Sequence, residues 1–186
     1  MIRFTSVLFS ASLLLILAIL KPEAAFSQEN QLNRIKLDWS SYTHLKDSKR
    51  PYIAYTAHQT THRYRATQKG NQLSLKFMVG VSLDRKQSIV DLSRLSALDE
   101  QAKKSLLNHE QGHSDLAVIY GRILYKNLSK GVYSIKNYQQ EVKKIYETTM
   151  KALEKIHFRY DLETAHGEEQ ELQDKWDLYF KNELKG

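Results

Sequence analysis

The sequence predicts an α+β domain, with an amino-terminal antiparallel β-sheet or hairpin followed by about three helices. Two observations carry that expectation. Apolar residues alternate with polar ones through the first half of the 186-residue chain, the period of half-buried strands. From about Ala97 the apolar spacing changes to that of helices, and strands followed by helices are the order of an α+β fold. Neither an internal repeat nor a low-complexity linker interrupts it.

Arg3 and the apolar run from Val7 to Leu20, followed by the small-residue site Ala25-Phe26-Ser27, predict a signal peptide over residues 1–27 cut before Gln28. The run is shorter than the roughly 20 residues a spanning helix needs. An exported, periplasmic or secreted chain is therefore expected, with no stable membrane span after cleavage; the alternative is a segment retained as an amino-terminal anchor. No cysteine follows the run to carry a lipid. Residues 28–186 are one domain's worth of chain, long enough to bury a core.

Ile35, Leu37 and Trp39 alternate as a short strand, and Ile53, Tyr55 and Ala57 begin another that resumes in shifted phase through His62, Tyr64 and Ala66. Lys69-Gly70-Asn71 is a turn signal. After it Leu73, Leu75, Phe77, Val79, Val81 and Leu83 give the strongest strand pattern in the chain, so the two runs are expected to form a hairpin. Gly80 within the second run predicts a bulge or a close approach of another backbone. A long helix then runs to a break at Lys130-Gly131. Ile135 to Ile156 trace a second helix and Leu172, Trp176, Tyr179 and Phe180 a third.

Without cysteine, no disulfide can brace the fold. The formal charge of +7 comes from Lys and Arg scattered among Asp and Glu, which reads as a solvated surface and not as a nucleic-acid footprint.

His109-Glu110-Gln111-Gly112-His113 lies on the first long helix. At about 100° per residue, Leu98, Ala102, Leu106, His113, Leu116, Ala117, Tyr120 and Leu124 fall within about −20° to +80° of His109, one apolar stripe. Lys104, Gln111, Asp115 and Arg122 fall on the opposite face, expected to be solvated. Imidazoles at i and i+4 can close on one zinc ion, and the carboxylate between them is placed to take a proton from the attacking water. His109 and His113 are thus candidate ligands and Glu110 the candidate general base. A catalytic zinc needs a third protein ligand. Asp115 points away from the histidine face, so the ligand is expected from Tyr160-Asp161-Leu162-Glu163-Thr164-Ala165-His166-Gly167, where three candidates crowd together. Tyr160 is a candidate donor to a developing oxyanion. His44, His58, His62 and His157 read as surface or half-buried residues.

Leu37-Asp38-Trp39-Ser40, then Asn108 to Asp115 around the paired histidines, then Glu163-Thr164-Ala165-His166-Gly167 followed by Gln173 and Trp176, together resemble a family. It is that of the predicted secreted zinc-dependent proteases catalogued as domain of unknown function 922, which looks zincin-like. The resemblance implies one zinc ion, His109 and His113 as ligands, Glu110 as catalytic base and His166 as third ligand, with Glu163 the nearest competitor. Ser114 stands where the family pattern is expected to carry an aromatic residue. The functional expectation is an exported zinc metallopeptidase acting on a peptide or protein substrate. The alternative is a zinc-stabilised envelope binding module without turnover.

Overall fold

The computed structural model describes residues 32–185; the apolar run and its cleavage point lie outside the described residues. The expected α+β arrangement is what the chain adopts, with two small sheets followed by helices.

The amino-terminal alternation is not a strand. Residues 32–38 run without strand pairing into a 3-10 turn at Trp39–Ser41. Their backbone is bonded by side chains of a helix: Leu37 N donates to Gln111 Oε1 and Ile35 O accepts from Gln111 Nε2. A segment strapped along a helix shows the same in-out period as a strand, because one side faces protein and the other water.

β1 (Thr43–Leu45), β2 (Ala54–Tyr55) and β5 (Ile89–Asp91) form a three-stranded sheet in the order β1-β5-β2, with β1 parallel and β2 antiparallel to β5. β3 (His58–Lys69) and β4 (Gln72–Leu83) form the expected hairpin, closed by Gly70 at φ 57° and Asn71. Their register is unbroken from His58↔Leu83 to Lys69↔Gln72, so Gly80 makes no bulge. What approaches it is a side chain, since a Cβ there would lie 3.2 Å from Thr61 Oγ1.

After the short α1 (Leu92–Ser96) come three long helices, α2 (Glu100–Lys130), α3 (Tyr138–Thr164) and α4 (Gln170–Glu183). Asp99 caps α2 by accepting from Ala102 N at 2.7 Å, satisfying one of the four free donors at a helix start. α2 is the hub. Its Val118, Leu124 and Leu128 pack with Phe77 and Val79 of the hairpin and Val142 of α3. Leu116 and Ile119 pack with Tyr160, Trp176 and Phe180 of α3 and α4. Leu106 and Leu107 pack against Tyr42, Ala54, Val90 and Leu95 around the small sheet. Each fully buried leucine here contributes roughly 2 kcal/mol relative to an exposed one.

Being covered on every side, α2 has no solvated face in its middle. Asp115, expected in water, is buried and accepts from Arg34 Nε at 2.8 Å and Arg34 Nη2 at 2.7 Å, and from Gln111 Nε2 at 2.9 Å. Arg122 donates to Leu32 O. Lys104 alone of that set is exposed.

Candidate metal centre

One turn of α2 separates His109 from His113, and their rings converge through Nε2, 3.2 Å apart. α3 supplies the third atom. Asp161 Oδ1 lies 3.1 Å from His109 Nε2 and 2.9 Å from His113 Nε2. A tetrahedral ion with bonds of about 2.0 Å has ligand atoms separated by roughly 3.3 Å, so the three spacings fit one small cation.

The outer ring nitrogens make the same case. Thr164 Oγ1 gives its proton to Tyr160 O at 2.7 Å, so at 3.3 Å from His109 Nδ1 it can only accept. That puts a His109 proton on Nδ1 and turns Nε2 toward the centre. His113 Nδ1 lies 2.9 Å from His157 Nδ1, a contact needing one shared proton. Burial, and next the charge of His113, push His157 down to about 3. Burial acts on His113 in the same sense, but the hydrogen bond to Asp161 and the Glu110 and Asp161 charges outweigh it and raise its pKa. With His157 accepting the Nδ1 proton, His113 turns Nε2 to the centre, where in the metal-free chain it donates to Asp161 and where an ion would replace that proton. Asp161 is held well below the usual carboxylate range: burial works against that, and the hydrogen bonds from His109 and His113 prevail. Two imidazole lone pairs and a carboxylate oxygen crowded together are stabilised by a cation or by protons.

Two glycines make the close packing possible. A Cβ on Gly112 would overlap the Tyr160 ring and hydroxyl and come within 2.9 Å of Phe180 Cε2. Tyr160 uses that space to stack on His109, ring centroids 4.7 Å apart. After α3 the chain turns through Ala165 and His166, both at positive φ, into Gly167 at φ 91°. A Cβ on Gly167 would lie 2.9 Å from that of His109. Left-handed backbone at Ala165 and His166 costs about 1 kcal/mol or more each and returns the chain onto the histidine.

The candidates from the sequence are distributed unevenly around this centre. Glu110 is buried beside it, with Oε2 2.5 Å from Thr56 Oγ1. His166 is at the rim: its side chain is 77% exposed and its Nδ1 is 3.6 Å from Asp161 Oδ1, outside the converging trio. Glu163 faces the other way, accepting from Arg159 Nε at 2.7 Å and Trp176 Nε1 at 2.9 Å. The hydroxyl of Tyr160, the expected oxyanion donor, is engaged elsewhere, and Tyr160 is not among the residues that line the cavity. Its hydroxyl donates to His109 O at 3.1 Å and bonds the Gln173 side chain, and its ring forms the wall behind His109. Burial, above all, pushes its phenol far up.

Sequence reasoning set aside two residues that belong to this neighbourhood. His157 touches His113, and His58, whose Nε2 is 3.0 Å from Ser114 Oγ, lines the same cavity. Burial, then the His113 charge, push His58 down to about 4. Periodicity would have found His157, which lies one turn before Asp161 on the same face of α3. His62 is half-buried against Tyr146, and His44 is exposed on β1.

A cavity of about 890 Å³ lies over the centre. It follows α2 from Leu106 past His109, Glu110 and His113 to Ala117, is bounded by α3 from Tyr146 to Asp161, and is faced by residues 51–58 and Thr60.

No curated protein and no solved structure matches this chain. A bacterial protein family of unknown function, DUF922, matches residues 29–167, from ahead of the strap to the glycine that closes over His109. The chain belongs to that family.

Proposed function

We propose that the protein is an exported zinc-dependent peptidase, with His109, His113 and Asp161 holding the ion and Glu110 as general base. The observation that carries this reading is the convergence of two imidazole Nε2 atoms and one carboxylate oxygen on a single point at the floor of an open cavity. A bound zinc ion supplies Lewis-acid polarisation of a carbonyl and lowers the pKa of water.

The chain's own groups do the rest. Glu110 offers Oε1. That oxygen has no partner among the described residues, where no buried side-chain oxygen is left without one, so it faces the cavity. From there it takes a proton from the attacking water and passes it to the leaving amine. Thr164 and His157 anchor the outer nitrogens of the two imidazoles so that both Nε2 atoms point inward, and the Tyr160 ring keeps His109 from turning. The Leu106-to-Ala117 stretch of α2 along the cavity is about 16 Å long, the length of roughly five residues of extended peptide. That length supports a polypeptide substrate over a small molecule.

The test is Glu110→Gln. It is expected to retain zinc and fold while cleavage of a mixed library of unfolded proteins and peptides falls by about 10² or more. If the wild type holds zinc and leaves the library uncut, the zinc is structural and the protein a binding module. Unchanged cleavage by Glu110→Gln would refute the mechanism.

A further inference from the structure

Glu110 is held from behind by two hydroxyl groups that belong to the small sheet. Thr56 follows β2 directly and its Oγ1 donates to Glu110 Oε2 at 2.5 Å; Tyr42 precedes β1 and its hydroxyl lies 2.8 Å from the same Oγ1. All three residues are buried, with relative exposures of 4% for Glu110, 9% for Thr56 and 5% for Tyr42. A threonine hydroxyl has one proton, and Thr56 spends it on the carboxylate. In the Tyr42 contact Thr56 must therefore accept, so the chain runs Tyr42 O–H to Thr56 O–H to Glu110 Oε2.

The direction is enforced at the far end. Burial, and second the negative charge of Glu110, push the Tyr42 phenol far above its ordinary value, so it stays a donor. Both residues adjoin strands that flank the fully buried β5, so their backbones are anchored by the sheet and their side chains by burial. The geometry of the carboxylate follows. With Oε2 pinned, Glu110 cannot swing toward the histidine nitrogens to become a ligand, and Oε1 is the oxygen presented to the cavity.

We propose that Thr56, backed by Tyr42, is the positioning residue of Glu110, fixing which carboxylate oxygen works as the base and keeping that carboxylate out of the metal's ligand set. The inference rests on the reading of Glu110 as general base. It also gives the three-stranded sheet a role: its register places two hydroxyls behind one carboxylate. Neither residue belongs to the ion's ligands, and because Thr56 also lines the cavity, an effect through Glu110 is told from a lost substrate contact by a fall in kcat at constant KM.

The experiment compares wild type, Thr56→Val, Thr56→Ser and Tyr42→Phe in two measurements. The first is the carboxylate stretching band of Glu110 in the infrared, isolated by subtracting the Glu110→Gln spectrum, on zinc-free and zinc-loaded protein. The second is kcat and KM on an internally quenched peptide drawn from a mixed-sequence library, with zinc content measured alongside. Thr56→Val keeps the shape and removes the donor. It is expected to shift the band in both forms and to lower kcat about tenfold or more, the scale of losing a hydrogen bond to a charged group, while KM stays within about twofold. Thr56→Ser is expected to restore both, and Tyr42→Phe to give a smaller shift and a loss of about threefold.

A band unmoved by Thr56→Val overturns the proposal, as does a kcat loss that Thr56→Ser fails to rescue. If Thr56→Val does not fold, the graded effect of Tyr42→Phe and the rescue by serine decide it in the same way. A wild type that cleaves no peptide refutes the peptidase reading, and the infrared band still decides whether Thr56 holds Glu110.

Discussion

Two carboxylates lie on opposite sides of the middle of α2, Asp115 as a residue of that helix and Asp161 brought to it by α3, and their surroundings differ in kind. Asp115, on the side of the amino-terminal strap, is met by a guanidinium and an amide, so every proton it needs comes from Arg34 and Gln111. Asp161, on the cavity side, is met by two imidazoles whose outer nitrogens already have partners. Asp115 is a closed electrostatic account. Asp161 stands in an arrangement that calls for a cation. Burial alone therefore does not mark a functional carboxylate; what matters is whether its neighbours are donors that cannot give up their protons, such as a guanidinium and an amide, or imidazoles whose inner nitrogens can exchange a proton for an ion.

Exchanging each carboxylate for its amide should separate the two sides most sharply. Asp161→Asn is expected to weaken zinc binding by at least 10², measured by competition with a chelating dye, with the metal-free fold intact. Asp115→Asn should leave zinc affinity within a few-fold. Removing the partner instead, by Arg34→Met, leaves Asp115 buried with Gln111 alone and is expected to cost about 2 kcal/mol in denaturant unfolding, less than a fully buried pair because Arg34 is half exposed. His166→Ala is the control for the family resemblance: it should cost less zinc affinity than Asp161→Ala, and the reverse order would move His166 into the ligand set.

Gly112→Ala joins the two sides, because the glycine lies between Gln111 on one and His113 on the other. Its methyl would collide with Tyr160 and Phe180, so a loss of about 2 to 3 kcal/mol is expected. Displacing Tyr160 also frees the His109 ring, and zinc affinity should fall with stability. A variant as stable as wild type would mean that Tyr160 has room to move.

The smallest effect concerns pH in the metal-free chain. His58 is pushed down to about 4 from an ordinary 6.5, so the unfolded chain binds its proton first. The stability His58 contributes is complete above pH 6.5 and is lost as pH falls toward 4. His157 acts in the same sense, whereas His113, raised by its carboxylates, contributes below pH 6.5 and loses that contribution as pH rises through its folded value. His58→Asn should flatten the decline between pH 6.5 and 4 in thermal unfolding. An equal slope in both proteins would show His58 solvated.

Much of the cavity side was legible in the sequence because its grammar is local. His109, Glu110 and His113 sit within five residues of one helix, where i and i+4 place them without any tertiary knowledge. The third candidate ligand was confined to a short segment and not resolved, for a physical reason: Asp161, Glu163 and His166 are all ligand types, and only the continuation of α3 to Thr164 fixes which of them faces the histidines. On a continuous helix Asp161 falls about 40° from His157, while Glu163 falls about 200° further on, and the choice between them becomes geometric. The strap side was misread because a charged residue covered by a distant segment has no local signature. Asp115 looks solvated until residues 32–37 are laid over it. β1 and β5, three residues each, are too short to establish a period, so the sheet behind Glu110 was invisible although the hairpin was plain.

The central claim is that His109, His113 and Asp161 converge on one ion whose remaining position is open to the cavity. X-ray absorption at the zinc edge, on tag-free protein loaded with one equivalent of zinc, tests it most directly, with Asp161→Asn and His166→Ala in parallel. The account predicts two imidazole nitrogens, one carboxylate oxygen and one further light-atom ligand that exchanges with solvent, a spectrum lost in Asp161→Asn and kept in His166→Ala. A third imidazole in the wild-type spectrum that disappears in His166→Ala, or a protein that takes up no zinc, would contradict it.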